Sequence, residues 1–471
     1  MSFFNNLWYE KTLSSLVLQL PLLPFSCVFA VIAAARRSLY ANGFCRKTGP
    51  VVPVVVIGGV TAGGTGKTPI CIALVKELKA RGLNPGVLSR GYKSHCNSYP
   101  YQVPLNCDPY VYGDEPSLIR RETLAPVVID PKRTRGADYL AGLGVDVIVT
   151  DDGLQHYALD RDVEVCVLDG SRMLGNGHLL PAGPLREAKW RLKTVDSIVV
   201  SGAVAHLGYF PMMLKPASLQ PLNTKSHEVL QPQSEICAFS GIGNPDRFYK
   251  TLEDCGYVVR AKYDAGDHGR VSLEKLKKLA LKYPVVMTAK DAIKYQQEAE
   301  KNNLSNIFVL NVAASLSKQF YDDVVNKIKQ SNYKVAQRRK KREAEGYVLE
   351  KVELIDQIDP QATPELSFEA ASAANAASDA SAEAADAVLE QADDLENKAE
   401  AVDVVAEGAA NAASAASTAS EEEPQKEVKT LKKQVKAKAK SSTALESDSA
   451  ELRSAERYDP SALPSGLKRK D

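Results

Sequence analysis

Apolar and polar positions divide the chain into three regimes. The first is the run from Leu13 to Ala35, built mostly of Leu, Val, Phe, Ile and Ala, with no charge between Lys11 and Arg36. A run of that length can span or enter a bilayer. Trp8 and Tyr9 stand at its front edge, where aromatic rings favour the headgroup zone, and Arg36 and Arg37 behind it favour a cytoplasmic C-terminal side. Pro21 and Pro24 interrupt the run, which leaves a bent helix and an in-plane helix pair both open. A buried core helix and a cleaved signal peptide are the competing readings. Ala33-Ala34-Ala35 has the character of a cleavage site, but Glu10 occupies the place of the basic region that a signal peptide requires.

From Val51 the pattern changes to short, continuously apolar runs separated by helix-period segments. Val51–Ile57, Pro85–Leu88, Pro126–Asp130, Val145–Thr150, Val163–Leu168 and Val195–Val200 predict strands; Ile70–Arg81, Ser117–Glu122 and Arg133–Leu143 predict helices. Continuous rather than alternating apolar strands argue for a parallel sheet covered on both faces. A stretch from Ala203 to Ser234 has several prolines and no strong period, so it predicts a connection. Alternation then resumes. Strands are predicted at Ile236–Phe239, Tyr257–Ala261, Val285–Thr288 and Ile307–Val312, and helices at Asp246–Asp254, Leu273–Leu281 and Leu316–Ile328. The resulting organisation is α/β: a hydrophobic segment (1–45), a core with a phosphate-binding loop (46–203), a connection (204–235), a second, smaller α/β domain (236–334) and a tail (335–471). The tail opens on the basic run Arg338–Arg342, is rich in Ala, Ser, Asp and Glu from Leu366 to Glu423, and carries a lysine block from Lys426 to Lys440. Too little apolar area is available there to offset the ordering entropy, which predicts disorder with transient helix. The lysine block reads as a solvated tail or as a contact for anionic lipid or the ribosome.

Bulk composition narrows the function only modestly. The 471 residues carry a net charge of +1, so no global field points to nucleic acid. Eight cysteines form no C-x-x-C pair, which disfavours a zinc cluster or redox motif and fits a reducing compartment.

The chemistry concentrates between the first strand and the first helix. Gly58-Gly59-Val60-Thr61-Ala62-Gly63-Gly64-Thr65-Gly66-Lys67-Thr68-Pro69 has the strand, glycine loop, Gly-Lys-Thr and helix order of a phosphate-binding loop. Glycines let backbone N–H groups approach phosphate oxygens, and the helix N-terminus adds unpaired donors and a favourable dipole. Lys67 would reach the β- and γ-phosphates of ATP and Thr68 would ligate Mg²⁺. The strict pattern wants Gly six residues before the lysine, where this chain has Thr61. Asp151 and Asp152 end a predicted strand, where a carboxylate can hold Mg²⁺ or cap a helix. Asp114, in Gly113-Asp-Glu-Pro116, is placed either to cap the next helix or to take a proton from an attacking hydroxyl. His268, Arg133, Arg135 and Arg186 are weaker singly.

In this order the blocks resemble the tetraacyldisaccharide 4′-kinases, inner-membrane lipid A kinases of Gram-negative bacteria. The resemblance runs from the hydrophobic segment to about Ile328. It rests on the loop above with its Thr61, Ser89-Arg-Gly-Tyr92, Gly113-Asp-Glu-Pro116, Asp151-Asp-Gly-Leu-Gln-His156, Gly175-Asn-Gly177, Leu180-Pro-Ala-Gly-Pro-Leu-Arg-Glu187 and Ser240-Gly-Ile-Gly-Asn-Pro245. It implies ATP- and Mg²⁺-dependent phosphorylation of the 4′-hydroxyl of tetraacyldisaccharide 1-phosphate, giving lipid IVA, at the cytoplasmic side of the inner membrane. It implies no nucleic acid and no obligate protein partner. Thr61, Ala62, Gly63, Gly64, Thr65, Gly66, Lys67 and Thr68 then serve ATP and metal, with Arg133, Gln155 and Arg186 also at the nucleotide. Asp114 matches the proposed base and His268 its partner. Asp151 and Asp152 match the acidic pair, and Glu115 and Glu187 fall on metal-facing motif positions. Ala289 replaces the usual Glu, and Asp264-Ala-Gly-Asp-His268 departs from the usual neighbourhood of the histidine. A nucleotide switch is disfavoured because Thr288-Ala-Lys-Asp291 has the guanine-reading letters out of order, and a partitioning ATPase because no lysine opens the loop. A soluble sugar kinase would leave the hydrophobic segment without a purpose.

Overall fold

Every residue of β1 (Val54–Gly58) is buried, and its side chains divide between two apolar layers, Val55 and Ile57 into one and Val54 and Val56 into the other. That is how a central strand of a parallel sheet with covered faces behaves. β1 starts after Pro53, which has no N–H to give the ladder. The computed structural model describes residues 7–355, apart from Lys11, Asn97, 203–207 and 267–268.

Two helices, α1 (Leu13–Gln19) and α2 (Leu23–Ala41), precede β1 and are joined through a 3₁₀ turn over Leu20–Leu22 that contains Pro21. After β1 come α3 (Lys67–Ala80), β2 (Pro85–Ser89), β3 (Tyr101–Gln102), α4 (Pro109–Tyr112), α5 (Asp114–Thr123), β4 (Val127–Ile129), α6 (Arg133–Gly142), β5 (Val147–Thr150), β6 (Val163–Asp169) and β7 (Ser197–Ser201). α3 and α5 pack on the Val55/Ile57 layer and α6 on the Val54/Val56 layer, so helices cover both faces.

The connection predicted between Ala203 and Ser234 contains the longest strand, β8 (Phe210–Pro221). Its first residues pair parallel with β7, and the rest pair antiparallel with β12 (Ile307–Ser315). Pro211, Pro216 and Pro221 hide it from a periodicity argument, because it lies at a junction rather than inside a regular sheet. The remaining elements are β9 (Glu235–Ser240), α7 (Pro245–Asp254), β10 (Val258–Asp264), α8 (Leu273–Lys282), β11 (Val285–Thr288), α9 (Ala289–Ala292) and α10 (Gln296–Lys301). The strands predicted for a second, smaller unit therefore continue the first sheet. The order is β10-β9-β11-β12-β8-β7-β6-β1-β5-β2-β4-β3, twelve strands in all. Among the described strands, only β8–β12 and β3–β4 are antiparallel pairs. The short β3, α4, α9 and α10 fell below what a window of apolar periodicity detects.

The boundary of the tail also moves. The last helix, α11 (Lys318–Ala344), runs for 27 residues, well past the predicted end at Ile328. Phe320, Val324, Ile328 and Val335 lie along its buried side. The basic run expected to open a disordered tail is instead docked. Arg338 pairs with Asp162 at 2.7 Å and Asp160 at 3.1 Å, and Arg342 donates to Asp138 at 2.8 Å. Beyond the helix, Val352 N–H donates to Gly142 O at 3.0 Å and Gln102 Nε2 to Glu353 O at 2.7 Å. Charge, not hydrophobicity, carries this docking, so composition alone misassigned it. The Ala-rich stretch and the Lys426–Lys440 block lie outside the described residues.

The side chain of Asp162 is fully buried, and without Arg338 it keeps only Lys334 at 3.6 Å and the N–H of Val54 at 2.9 Å. Arg338→Met is expected to cost about 1.5–3 kcal/mol in urea unfolding, the loss of a charge-assisted hydrogen bond. Truncation after Ser331 should lower the thermal midpoint, whereas truncation after Ile355 should leave it unchanged.

Candidate active site

The carboxyl ends of β1, β5 and β2 lie side by side, and the loops that leave them build the site. This is where ligands settle in an open parallel sheet. The loop from Gly59 to Gly66 leaves β1 and enters α3 at Gly66, whose φ of 92° is left-handed and suits a residue without Cβ. The start of the loop is fixed by a second segment. Ala62 N–H donates to Pro184 O at 2.7 Å, Arg186 N–H to Val60 O at 2.7 Å, and Thr61 bridges Leu185. Pairing of 60–62 with 184–186 thus places Arg186 and Glu187 beside a loop more than a hundred residues earlier in the chain.

The chain leaves β5 through Asp151-Asp152-Gly153. A Cβ on Gly153 would stand 2.2 Å from Thr150 Oγ1, so only glycine permits this turn. Asp152 takes a φ of 47°, a position that Asp tolerates better than most residues. Arg133, at the start of α6 and 2% exposed, sends its guanidinium into the same turn. It donates to Asp151 O at 2.7 Å and to Asp152 O at 3.2 Å. Burial lowers its pKa to about 10. Arg133, expected at the nucleotide, lines the cleft and also donates to main-chain carbonyls of the β5 turn.

The two aspartates end in opposite states. Asp152 accepts from Arg186 at 2.9 Å and lies 3.7 Å from Lys67 Nζ. Burial pushes its carboxyl up, but Lys67 and Arg186 outweigh burial and hold it below its ordinary value. Asp151 is 2% exposed. Burial, with Glu115 and Asp152 adding repulsion, raises its pKa to about 8. Asp151 Oδ1 and Asp152 Oδ1 are both buried without a hydrogen-bond partner. Asp152 Oδ1 has only the Lys67 ammonium at 3.7 Å, and two such carboxylate oxygens in a cleft that Thr68 also lines fit a hard cation. Among the described residues no group of three or more His, Cys, Asp or Glu is placed to hold a metal. Mg²⁺ does not need one, since it binds through one or two carboxylates and substrate phosphates.

Gly63, Gly64, Thr65, Gly66, Lys67 and Thr68 line one cleft together with Asp151, Asp152, Glu115, Arg133, Gln155, Arg186 and Glu187. Thr61 and Ala62 anchor the loop rather than line the cleft. Gln155 donates to Gly59 O and to Glu187 Oε1, both at 3.0 Å. Glu187 gives its other oxygen to buried Arg191 at 2.9 Å. Both Glu187 oxygens thus accept from protein partners, which fixes the carboxylate in the cleft wall. Asp114 does not cap α5, because Gly113 holds the cap position and Asp114 is the first helical residue. His268 lies outside the described residues.

Several site residues escaped the sequence reading. His156, at the end of the β5 motif, lines the cleft, and burial together with Arg133 and Arg161 lowers its pKa to about 4. Lys290 and Lys294 reach across from the C-terminal half-sheet, Lys290 to Glu115 at 3.1 Å and Lys294 to Asp114 at 3.6 Å. The letters Thr288-Ala-Lys-Asp291 give a signal there, as a rejected guanine reader and as a family block with Ala289 in place of Glu, but neither reading singles out the two lysines.

The tetraacyldisaccharide-1-P 4′-kinase (LpxK) family model matches residues 18–329. A tetraacyldisaccharide 4′-kinase from Shewanella sp. (strain ANA-3) is 43% identical over 326 residues, covering 69% of this chain and 95% of the relative. The corresponding kinase of Shewanella pealeana (strain ATCC 700345 / ANG-SQ1) is 42% identical over 330 residues, covering 69% of this chain and 97% of the relative. A crystal structure of LpxK from Aquifex aeolicus in complex with ATP superposes with a TM-score of 0.54 at 27% identity, over 66% of this chain and 99% of that one. The matched family region ends within α11, before Arg338.

The raised pKa of Asp151 has a sign that can be checked. A carboxyl held up to about 8 in the folded state contributes stability at low pH that is lost as pH rises from about 4 toward 8. Asp151→Asn is expected to raise the thermal midpoint of the ligand-free protein, more at pH 8 than at pH 5.5.

Proposed function

The chain belongs to the tetraacyldisaccharide-1-P 4′-kinase family, and we propose that the cleft above α3 is where ATP and the acylated sugar meet. The protein is an ATP-dependent kinase of lipid A biosynthesis that phosphorylates the 4′-hydroxyl of tetraacyldisaccharide 1-phosphate to give lipid IVA. One observation carries the placement of the reaction. A single cleft of about 1670 Å³ is lined at one place by Gly63–Thr68 and at another by Phe29, Ile32 and Ala33 of α2. A polar, amide-rich wall suits a triphosphate, and an apolar wall suits acyl chains.

In this reading the amides of 63–66 and the N-terminus of α3 hold the phosphates, and Lys67 and Arg186 neutralise their charge. Thr68, Asp151, Asp152 and Glu115 would hold Mg²⁺, which when bound offsets charge on the β- and γ-phosphates. Asp114 accepts the proton of the 4′-hydroxyl, whose oxygen bonds to the γ-phosphorus as the bond to ADP breaks. Arg133 holds the carbonyls of the β5 turn, and Gln155 and Glu187 hold the loop; none of the three needs to touch the transferred group.

The same reading places the protein on the cytoplasmic face of the inner membrane. Its support is the outer side of α2, where Phe25 is 64% and Val31 68% exposed. An 18-residue stretch within Leu13–Ala41 has a mean hydropathy of 2.2, yet only 11% of it is buried, which is not how a core helix behaves. Ser26 Oγ donates to Leu179 O at 2.8 Å and accepts from Ala182 N–H at 3.0 Å, so one side of α2 is tied to the site loop. A substrate whose chains each contribute about 0.8 kcal/mol per buried CH₂ stays in the bilayer, and its kinase must work there.

Incubation with ATP, Mg²⁺ and tetraacyldisaccharide 1-phosphate should add one phosphate by mass spectrometry, and Lys67→Ala should slow that reaction by roughly 10²- to 10³-fold. Full rate in folded Lys67→Ala protein would sink the assignment of the loop. Replacement of Phe25, Val28, Val31 and Ile32 by Ser should abolish flotation with anionic vesicles while leaving the thermal midpoint in place, because none of the four is buried.

A further inference from the structure

Arg247 lies in the first turn of α7, in the C-terminal half-sheet, and its side chain, 27% exposed, lines the cleft. That turn is held against the glycine loop. Arg172 Nη1 donates to Gly243 O at 3.2 Å, and a Cβ on Gly64 would stand 3.9 Å from Gly243 Cα. The loop of residues 241–244 that enters α7 therefore meets the tip of the loop that follows β1. The guanidinium itself rests on Gly202, where a Cβ would stand 3.2 Å from Arg247 Nη2. Ser201, the residue before, lies against Gly66 in the same way, with its Oγ 3.2 Å from where a Cβ would stand. Two consecutive residues at the end of β7 thus touch Arg247 on one hand and the cap residue of α3 on the other. Among the described residues, none of the guanidinium's N–H groups has a hydrogen-bond acceptor, and its carboxylate neighbour is Asp169 Oδ2 at 3.9 Å. Asp169 does not depend on it. Its Oδ1 accepts from Ser171 N–H at 2.9 Å, from Ser171 Oγ and from Arg172 N–H at 3.2 Å, and its Oδ2 from Asn244 Nδ2 at 3.4 Å. Burial lowers the pKa of Arg247 and Asp169 opposes that, so the group remains a cation.

We propose that Arg247 is a further nucleotide-binding residue, donating from the C-terminal half-sheet to the phosphates of ATP that stay with ADP. The proposal rests on the reading of the cleft above α3 as the ATP site. A planar fork of donors, largely withdrawn from water and without an acceptor, matches phosphate oxygens better than a point charge does. Its place in the sheet selects which phosphates. Asp151 and Asp152 leave β5, on one side of β1, while Gly202 leaves β7, on the other side beyond β6. The carboxylates assigned to the transferred group and its metal thus stand on the β5 side, and Arg247 on the side away from them. Its contribution falls on the affinity for the nucleotide, and the bound nucleotide ties the two half-sheets together at the glycine loop.

Calorimetric titration of the full chain with ADP tests this in Arg247→Met, which keeps the apolar stem, in Arg247→Lys, and in Lys67→Ala as the reference for the glycine loop. ADP affinity is expected to fall about 10- to 100-fold in Arg247→Met, the range for hydrogen bonds to a charged group. It should fall by less in Arg247→Lys, which keeps the charge but not the fork. The ligand-free thermal midpoint should match the parent in both, because Asp169 keeps its other donors. In turnover, kcat/KM for ATP should fall by a comparable factor, carried mainly by KM. Parental ADP affinity in Arg247→Met, beside weakened binding in Lys67→Ala, would overturn the role of Arg247 and leave the ATP site in place. So would a lowered ligand-free midpoint in both Arg247 variants, since that is what a structural strut at Asp169 predicts. A loss confined to kcat would also overturn it, by moving the guanidinium to the transferred group. Parental ADP affinity in both Lys67→Ala and Arg247→Met would overturn the ATP site and the proposal together.

Discussion

A single buried guanidinium sets the floor of the site. Arg133 cannot be solvated where it lies, so its donors must find acceptors within the protein. It finds them in the main-chain carbonyls of Asp151 and Asp152, where β5 ends. That turn is one no ordinary residue adopts easily, with Asp152 at positive φ and Gly153 in contact with Thr150. Holding the turn fixes which carboxylate faces inward and which meets Lys67 and Arg186. The difference between Asp151, held near neutrality by burial, and Asp152, held ionised by two cations, follows from that geometry.

The site is also costly to the fold. Asp151 and Asp152 each keep a buried oxygen with no hydrogen-bond partner, that of Asp152 facing only Lys67 at 3.7 Å, and Asp151 is pressed by Glu115 as well as by its neighbour. Such unmet capacity persists where a ligand supplies the missing partner. Stability is recovered elsewhere: in the apolar layers on both faces of the sheet, and in α11, whose Arg338 and Arg342 clamp Asp162, Asp160 and Asp138 behind the site.

The two half-sheets contribute unlike things. The N-terminal half supplies the loop, the acidic turn and Asp114. The C-terminal half supplies lysines that approach α5 from the other side. β8 and β12 join them edge to edge, so the arrangement of Asp114 and Lys294 is a property of one continuous sheet. α2 shares the cleft with the glycine loop while turning its other side, with Phe25 and Val31, outward.

Much of this was legible in the residues alone. The loop from Gly58 to Pro69, the strands around it and the apolar segment from Leu13 follow from local rules: glycine freedom, continuous apolar runs, a charge-free stretch. The order of motifs pointed to the family without any coordinates. What local rules could not reach was every decision made by charges distant in sequence. The motif position of Arg133 does not disclose its carbonyl partners eighteen and nineteen residues on. The motif position of Glu187 does not disclose that Arg191 and Gln155 orient its carboxylate. The basic run at 338–342 reads as disorder until Asp138, Asp160 and Asp162 meet it. Lys294 carries no signal until Asp114 lies beside it. Backbone conformation and hydrophobic period are short-range and are written in neighbouring residues. The state of a buried charge depends on which partners folding brings within a few ångströms, and only the tertiary structure decides that.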